Sequence, residues 1–146
     1  YERAFPHAKS LNMLQSYLAY KKAKEHGAYD ALLINRSGCI TEGTRTNFFC
    51  IKDRTLYSAD ESEILLGVTR KAVLMAARRG GFSVEERDIS FHDLEDYDGA
   101  FITSTSSKIL PVRSIDDHSF GEKTEALSEL MNTFDKFLVE CGGVLS

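Results

Sequence analysis

The sequence is short of cysteine, of positive charge and of long apolar runs. Its three cysteines are far apart and form no CxxC pair, which fits a reducing cytosol better than a disulfide scaffold or a zinc site. The four histidines are scattered without ligand spacing, so no metal is expected. A net charge of -4 argues against a nucleic-acid partner, because such proteins normally present a basic face. With no membrane-length apolar run and no signal-like start, a cytoplasmic protein without a membrane partner is expected.

The length and composition of the chain suffice for one globular domain. The chain has 146 residues, of which 42% are hydrophobic and 27% charged. It shows no internal repeat, linker or low-complexity tract. This length supports a single hydrophobic core. Residues 1–146 are therefore expected to form one domain.

Three helices are predicted from apolar residues at helical spacing. The first would begin at Ser10 as a cap and stop at Gly27. Its apolar face would consist of Leu11, Leu14, Tyr17 and Leu18. The second helix covers 66–81, where two glycines close it, and an amphipathic helix over 122–140 ends the chain.

Short apolar and alternating runs predict strands between these helices. The predicted strands cover 30–35, 39–43, 46–52, 55–59, 82–89, 99–104 and 108–116, with a short helix over 90–97. The strands 46–52 and 55–59 flank an Asp-Arg turn and predict a hairpin. Many strands with a few interleaved helices favour a mixed α/β fold.

Four short polar segments lie at element ends or turns, which is where functional sites usually lie. The first contains Lys9, in "PHAKSLNML" just before the first predicted helix. A lone lysine is most often a solvated side chain. The functional interpretation is a Schiff-base amine, which needs surroundings that favour the neutral amine at pH 7.

The second segment is "TEGTRTNFF" over 41–49. Glu42 lies between two apolar strands, and Asn47 stands directly before two phenylalanines. A glutamate at a strand end is usually an exposed turn residue. A carboxylate held inside a site can instead keep a bound heterocyclic nitrogen protonated. Asn47 would then orient that carboxylate, or it simply caps the loop.

The last two segments are rich in glycine or hydroxyl groups. In "LLGVTR" over 65–70, Gly67, Val68 and Thr69 open a predicted helix, whose free N–H groups and dipole favour an anion. The segment "TSTSS" over 103–107 is either an ordinary turn or a second set of phosphate ligands that faces the helix start from the opposite side of the phosphate. Each segment alone has an ordinary structural explanation. Together they match pyridoxal 5′-phosphate, whose aldehyde, ring nitrogen and phosphate suit the lysine, the carboxylate and the hydroxyl groups.

The order of these motifs resembles a known family. "KSLNML", "TEGTRTNFF", "GVTR" and "STSSKILPVRSID" are similar to the large C-terminal domain of class IV aminotransferases, the fold-type IV pyridoxal-phosphate enzymes. The likeness runs from about Lys9 to Asp116. It implies an α/β domain in which a strand pseudo-barrel is flanked by helices, and it implies pyridoxal 5′-phosphate as the cofactor.

The resemblance also implies a role for each site residue. Lys9 would form the aldimine with the cofactor and carry a proton between the substrate Cα and C4′. Glu42 would bond the pyridine nitrogen, with Asn47 as support, and Leu65 would pack on the ring face. The phosphate would be held around Gly67, Val68, Thr69, Ser104 and Thr105.

The implied reaction transfers an amino group between an amino acid, either a D-amino acid or a branched-chain one, and a 2-oxo acid. Members of the family are usually homodimers. They carry a small N-terminal domain before the lysine, which binds the phosphate through an arginine and holds much of the substrate. The resemblance implies that residues 1–146 do not include that domain, so a further domain or chain is expected to complete the site.

Several alternatives stay open within the resemblance. "KSLN" and "TSTSS" look like D-amino-acid aminotransferases, whereas "PVRSID" looks like branched-chain enzymes. Aminodeoxychorismate lyase is a variant, although its helix start usually lacks the threonine found here at Thr69. A non-catalytic binding domain with the same fold is the remaining alternative. Arg45 either pairs with a substrate carboxylate or is a solvated loop residue.

Overall fold

The computed structural model describes residues 9–121 and 123–140. The helices are α1 (Lys9–Glu25), α2 (Val68–Arg79) and α3 (Glu125–Glu140). The strands are β1 (Leu32–Ile34), β2 (Cys39–Gly43), β3 (Asn47–Lys52), β4 (Thr55–Ser58), β5 (Ser83–Glu86), β6 (Ile89–Ser90), β7 (Gly99–Ser104), β8 (Lys108–Val112), β9 (Ser114–Ile115) and β10 (His118–Ser119). Short 3-10 helices cover Glu61–Glu63 and Phe91–Asp96.

Strand β3 is the centre of an eight-stranded sheet. One side of β3 pairs with β7, which in turn pairs with β8. The other side pairs with β2 at its start and with β4 at its end. All pairs in this sheet are antiparallel except β4–β5. This mixed α/β architecture confirms the predicted fold class.

Side chains on the two faces of the sheet form separate apolar layers. Along β3, Phe49 and Ile51 belong to the layer beneath α2 and α3, whereas Phe48 and Cys50 belong to the layer on the other face. This alternation follows from the period of two in a strand. The Phe49 ring stacks on Phe101 of β7, with 5.0 Å between their centroids. The sheet is therefore covered on both faces in its centre.

The predicted helices lie where expected, but the buried face of α1 was predicted wrongly. Leu14, Tyr17 and Leu18 are 65%, 59% and 45% exposed, and Ala19 is the buried residue instead. Each of these three side chains is thus largely open to solvent, and the side chain of Leu11 lies outside the described residues. The backbone of Ser10 lies within α1, which the structure describes from Lys9 onward.

Two predicted strands are each split in the structure. The run over 82–89 becomes β5 and β6, which pair with different strands, β4 and β2. The run over 108–116 ends at Val112, and the residues beyond Arg113 form a separate β9–β10 ribbon. Asp116 turns this ribbon with a positive φ of 49°. A sequence pattern marks extended backbone, but it does not reveal a change of pairing partner.

Candidate functional site

Three polar side chains form a row across the eight-stranded sheet. Glu42 lies opposite Asn47 in the β2–β3 pair, and Asn47 lies opposite Thr103 in the β3–β7 pair. Directly opposite residues on antiparallel strands point to the same face. The row therefore faces the side occupied by Phe49, Phe101 and α2. All three polar residues are buried, and Glu42 is only 2% exposed.

The backbone of Leu65 is held by two members of this row. Its N–H donates to Glu42 Oε1 at 3.2 Å, and its carbonyl accepts from Asn47 Nδ2 at 2.9 Å. A Cβ atom added at Gly67 would lie 2.7 Å from Asn47 Oδ1, so only glycine fits there without a shift. The predicted residues Glu42, Asn47, Leu65 and Gly67 thus form one contiguous cluster.

The start of α2 follows this cluster immediately. Gly67 is the N-cap in an extended conformation, and no side chain among residues 9–121 and 123–140 caps the helix. The first N–H groups of a helix have no intrahelical partner. Val68 is 69% exposed, whereas Thr69 is buried. The Thr69 hydroxyl donates to Thr105 Oγ1 at 3.4 Å, so the helix start and the hydroxyl-rich turn meet.

The turn after β7 is shaped by its own hydroxyl groups. Ser104 Oγ accepts from the Ser107 N–H at 3.1 Å. The Ser107 hydroxyl lies 2.6 Å from the Tyr29 hydroxyl. Thr105 is exposed at the tip. The observed contacts of Ser104 are therefore within the turn, whereas the hydroxyl of Thr105 faces Thr69.

A buried cation stands beside this helix start. Arg70, on the first turn of α2, is only 4% exposed. Its Nη1 lies 3.3 Å from Glu61 Oε1, and its Nη2 donates to Ser58 Oγ at 3.3 Å. The guanidinium also lies 5.6 Å from the centre of the Phe49 ring. Glu61 compensates this charge, so Arg70 ties the start of α2 to the segment after β4.

For two predicted site residues, Lys9 and Arg45, the described part of the structure shows no side-chain contact with the cluster. The backbone of Lys9 begins α1, but its side chain lies outside the described residues. The side chain of Arg45 is exposed, and its guanidinium lies 5.1 Å from the centre of the Tyr20 ring. Its role as a substrate residue therefore stays a prediction.

Thr103 in the polar row and the buried Arg70 beside it were not predicted from the sequence. The hydroxyl of Thr103 is buried and has no hydrogen-bond partner among the described residues. It is the first residue of "TSTSS", but only the strand register shows that it lies beside Asn47. Arg70 ends the "GVTR" motif, and a charged residue in a helix is normally expected at the surface. Neither position carries a sequence signal of burial.

The cluster fits pyridoxal 5′-phosphate in its chemistry. Glu42 is a buried carboxylate suited to a ring nitrogen, and the Thr103 hydroxyl, which no described residue hydrogen-bonds, adds a polar group to the same row. The hydroxyls of Thr69 and Thr105 and the open start of α2 suit a phosphate. Gly67 lets the backbone approach closely where a side chain would clash. Among the described residues, no group of acidic, histidine or cysteine side chains is placed to hold a metal ion.

Comparison with known proteins points to one family. The family described as amino-transferase class IV matches residues 1–115. D-alanine aminotransferase of Bacillus licheniformis is 38% identical over 114 residues, which cover 77% of this chain and 40% of that protein. The chain thus spans less than half the length of this relative.

Solved structures of the same kind share the fold. The branched-chain amino acid aminotransferase of Escherichia coli superposes with a TM-score of 0.83 at 30% identity, covering 93% of this chain and 49% of that one. A protein of Legionella pneumophila, named as a candidate 4-amino-4-deoxychorismate lyase, gives a TM-score of 0.83 at 29% identity over 93% of this chain and 52% of that one. A protein of Thermotoga maritima, named as a candidate branched-chain amino acid aminotransferase, superposes with a TM-score of 0.78 at 30% identity. The match covers 90% of this chain and 47% of that one.

Proposed function

Since the chain belongs to the class IV aminotransferase family, we propose that it is the cofactor-binding part of an enzyme that transfers an amino group between an amino acid and a 2-oxo acid. The observation that carries this proposal is the cluster around Leu65, where the buried Glu42 carboxylate and the Asn47 amide hold the backbone that leads into α2. Pyridoxal 5′-phosphate is the cofactor of the family.

Different residues of the cluster would bind the ring and the phosphate of the cofactor. Glu42 would accept a hydrogen bond from the protonated ring nitrogen, and the side chain of Leu65 would pack on the ring. Thr69 and Thr105, with the N–H groups of Val68 and Thr69, would hold the phosphate. When bound, the cofactor supplies an aldehyde for the amine and a ring that takes up the electron pair of the substrate Cα.

Proton transfer is assigned to Lys9. Its amine would first attach the cofactor and then move a proton to and from the substrate Cα. A carboxylate at the ring nitrogen favours this step, because a protonated ring accepts electron density more readily. The chain thus contributes both the acid–base group and the residue that sets the electronic state of the ring.

The substrates are an amino acid and a 2-oxo acid, with D-alanine and branched-chain amino acids as the first candidates. The similar proteins carry both names, which supports testing both. The assay compares D-alanine with L-leucine as donors to 2-oxoglutarate, using the full protein loaded with cofactor. Formation of glutamate with either donor supports the proposal. Failure with both, together with pyruvate release from aminodeoxychorismate, would support the lyase alternative suggested by the Legionella neighbour.

A larger cytoplasmic homodimer is the proposed working form. Residues 1–146 are proposed as a single cofactor-binding domain, to which the family's small N-terminal domain or another chain adds the rest of the substrate site. The exposed face formed by Leu14, Tyr17 and Leu18 supports an additional contact at α1. Light scattering after gel filtration tests the dimer, and a monomer at micromolar concentration would contradict it.

None of the helices in the described part of the chain has the length and apolar character of a membrane span.

A further inference from the structure

The carboxylate of Asp30 holds the turn that connects Glu42 to Asn47. Asp30 lies before β1, and its Oδ2 accepts a hydrogen bond from the Thr46 hydroxyl at 3.0 Å. Its Oδ1 accepts from the Thr44 hydroxyl and, at 2.8 Å, from the N–H of Ala31. One half-buried carboxylate therefore binds both threonines of the turn.

The same turn is closed by backbone bonds and by close packing. The Gly43 N–H donates to the Thr46 carbonyl at 2.9 Å, and the Thr44 N–H donates to the Ala31 carbonyl at 3.1 Å. A Cβ atom at Gly43 would collide with the Thr46 hydroxyl and with the Asp30 carboxylate. The turn is thus packed against Asp30 without spare room.

This turn controls the spacing of two site residues. Glu42 and Asn47 stand at its two ends, and they form the cross-strand pair that the described residues show between β2 and β3. Both side chains then reach the backbone of Leu65. A change in the turn would move the Glu42 carboxylate relative to Leu65, and a displacement of about 1 Å can lower activity about 100-fold.

We propose that Asp30 is a positioning residue, which sets the Glu42 carboxylate against the cofactor ring through the hydroxyls of Thr44 and Thr46. The role toward the cofactor rests on the proposed function. The geometric part, that Asp30 holds Glu42 against Leu65, stands on the hydrogen bonds alone.

The first test replaces Asp30 by alanine and uses Asp98→Ala as the matched control. Asp98 is also an aspartate that anchors a turn, since its Oδ2 accepts from the Asp53 N–H at 2.8 Å, but this turn joins β3 to β4 at the other end of the sheet. Amide hydrogen exchange is measured in the full chain without cofactor. The Leu65 amide, which donates to Glu42, is expected to exchange about tenfold faster or more in D30A and at the wild-type rate in D98A.

The second test measures the dissociation constant for pyridoxamine 5′-phosphate, which binds without the lysine link. D30A is expected to raise it about tenfold or more, and D98A is expected to leave it unchanged. In a background of Thr44→Val with Thr46→Val, the substitution of Asp30 should add little, because its partners are already gone.

The two measurements distinguish the support of Glu42 against Leu65 from its positioning for the cofactor. Unchanged exchange at Leu65 in D30A, or an equal effect of D98A, would overturn the role of Asp30. If wild-type protein fails to bind pyridoxamine 5′-phosphate, the proposed function is wrong, and the cofactor role of Asp30 falls with it. Altered exchange with unaltered affinity would show that Asp30 holds Glu42 but does not position it for the cofactor.

Discussion

Glu42 is the residue whose burial most needs an explanation. A carboxylate removed from water is costly unless hydrogen bonds or charges compensate it. Here the Leu65 N–H provides one such bond at 3.2 Å, and the residue is 2% exposed. A buried carboxylate in a polar row is a candidate for a functional group. A protonated ring nitrogen would provide the stronger, charge-assisted partner.

Two substitutions of Glu42 separate its structural and cofactor roles. Glutamine keeps an oxygen for the Leu65 N–H, so Glu42→Gln should change the free energy of unfolding without cofactor by less than about 1 kcal/mol. Alanine leaves that N–H without an acceptor, so Glu42→Ala should cost about 1–3 kcal/mol. Urea unfolding of both variants measures these values.

The affinity for the cofactor should fall in both variants. Since a hydrogen bond to a charged group is worth about 1.5–3 kcal/mol, Glu42→Gln should raise the dissociation constant of pyridoxamine 5′-phosphate at least about tenfold. A glutamine variant that binds as tightly as the wild type would contradict the assignment of Glu42 to the ring nitrogen.

At the residue scale, sequence patterns predicted the candidate site residues more readily than the contacts that support those residues. The motifs around Glu42 and Thr69 stand out because polar residues interrupt apolar runs. The hydrogen bonds of Asp30 join residues 14 and 16 positions apart, and Thr103 reaches Asn47 only through the register of β3 and β7. Such contacts depend on strand pairing, which local patterns do not encode.

At the scale of elements, the approach of α2 to β3 depends on Gly67. Replacing it by alanine would place a methyl group 2.7 Å from Asn47 Oδ1. Asn47 would then have to move, and its bond to the Leu65 carbonyl would weaken. We expect Gly67→Ala to lower the free energy of unfolding by about 1–3 kcal/mol.

Gly99→Ala provides the matched control for this prediction. An added Cβ at Gly99 meets its nearest neighbour, Ile51 Cγ2, at 3.6 Å, which is an ordinary contact. This variant should be neutral or slightly stabilised, because alanine restricts the unfolded chain. Thermal unfolding compares the two variants, and equal stability of both would show that the contact with Asn47 is unimportant.

The elements themselves were predictable where a strong local signal marks them. Paired glycines stop α2, which ends at Arg79 with Gly80 as its cap. The Asp-Arg turn marks the β3–β4 hairpin, with Lys52 opposite Thr55. The exposed face of α1 could not be predicted, because apolar spacing shows which residues share a face but not whether anything covers that face.

At the scale of the whole molecule, the core limits stability in alkali. Burial raises the pKa of the Cys50 thiol well above its ordinary value of 9.0, and Cys50 is fully buried. A raised pKa means that the folded chain keeps a proton which the unfolded chain loses above about pH 9. The stabilising effect of this group is therefore complete below pH 9 and declines as the pH rises beyond it.

Cys50→Ala should reduce this alkaline loss. A single group changes the free energy of unfolding by at most about 1.4 kcal/mol per pH unit, so between pH 9 and 10 the wild type should lose up to about that much more than the variant. Burial also raises the pKa of Tyr97 and of Cys39, and both groups are present in both proteins. Cys50 adds to the raised pKa of Tyr97, so its removal acts on Tyr97 in the same direction as the predicted effect. Urea unfolding at pH 7.5, 9 and 10 tests the prediction, and parallel curves would refute it.

We infer that this chain holds pyridoxal 5′-phosphate through Lys9 and the cluster that runs from Glu42 to Thr69. The most direct measurement incubates the full protein, including any further domain or chain that completes the site, with pyridoxal 5′-phosphate. The protein is then reduced with borohydride, and the adduct is located by intact mass and peptide mapping. We expect one adduct per chain, on Lys9. An absent adduct, or adducts spread over several lysines, would contradict it.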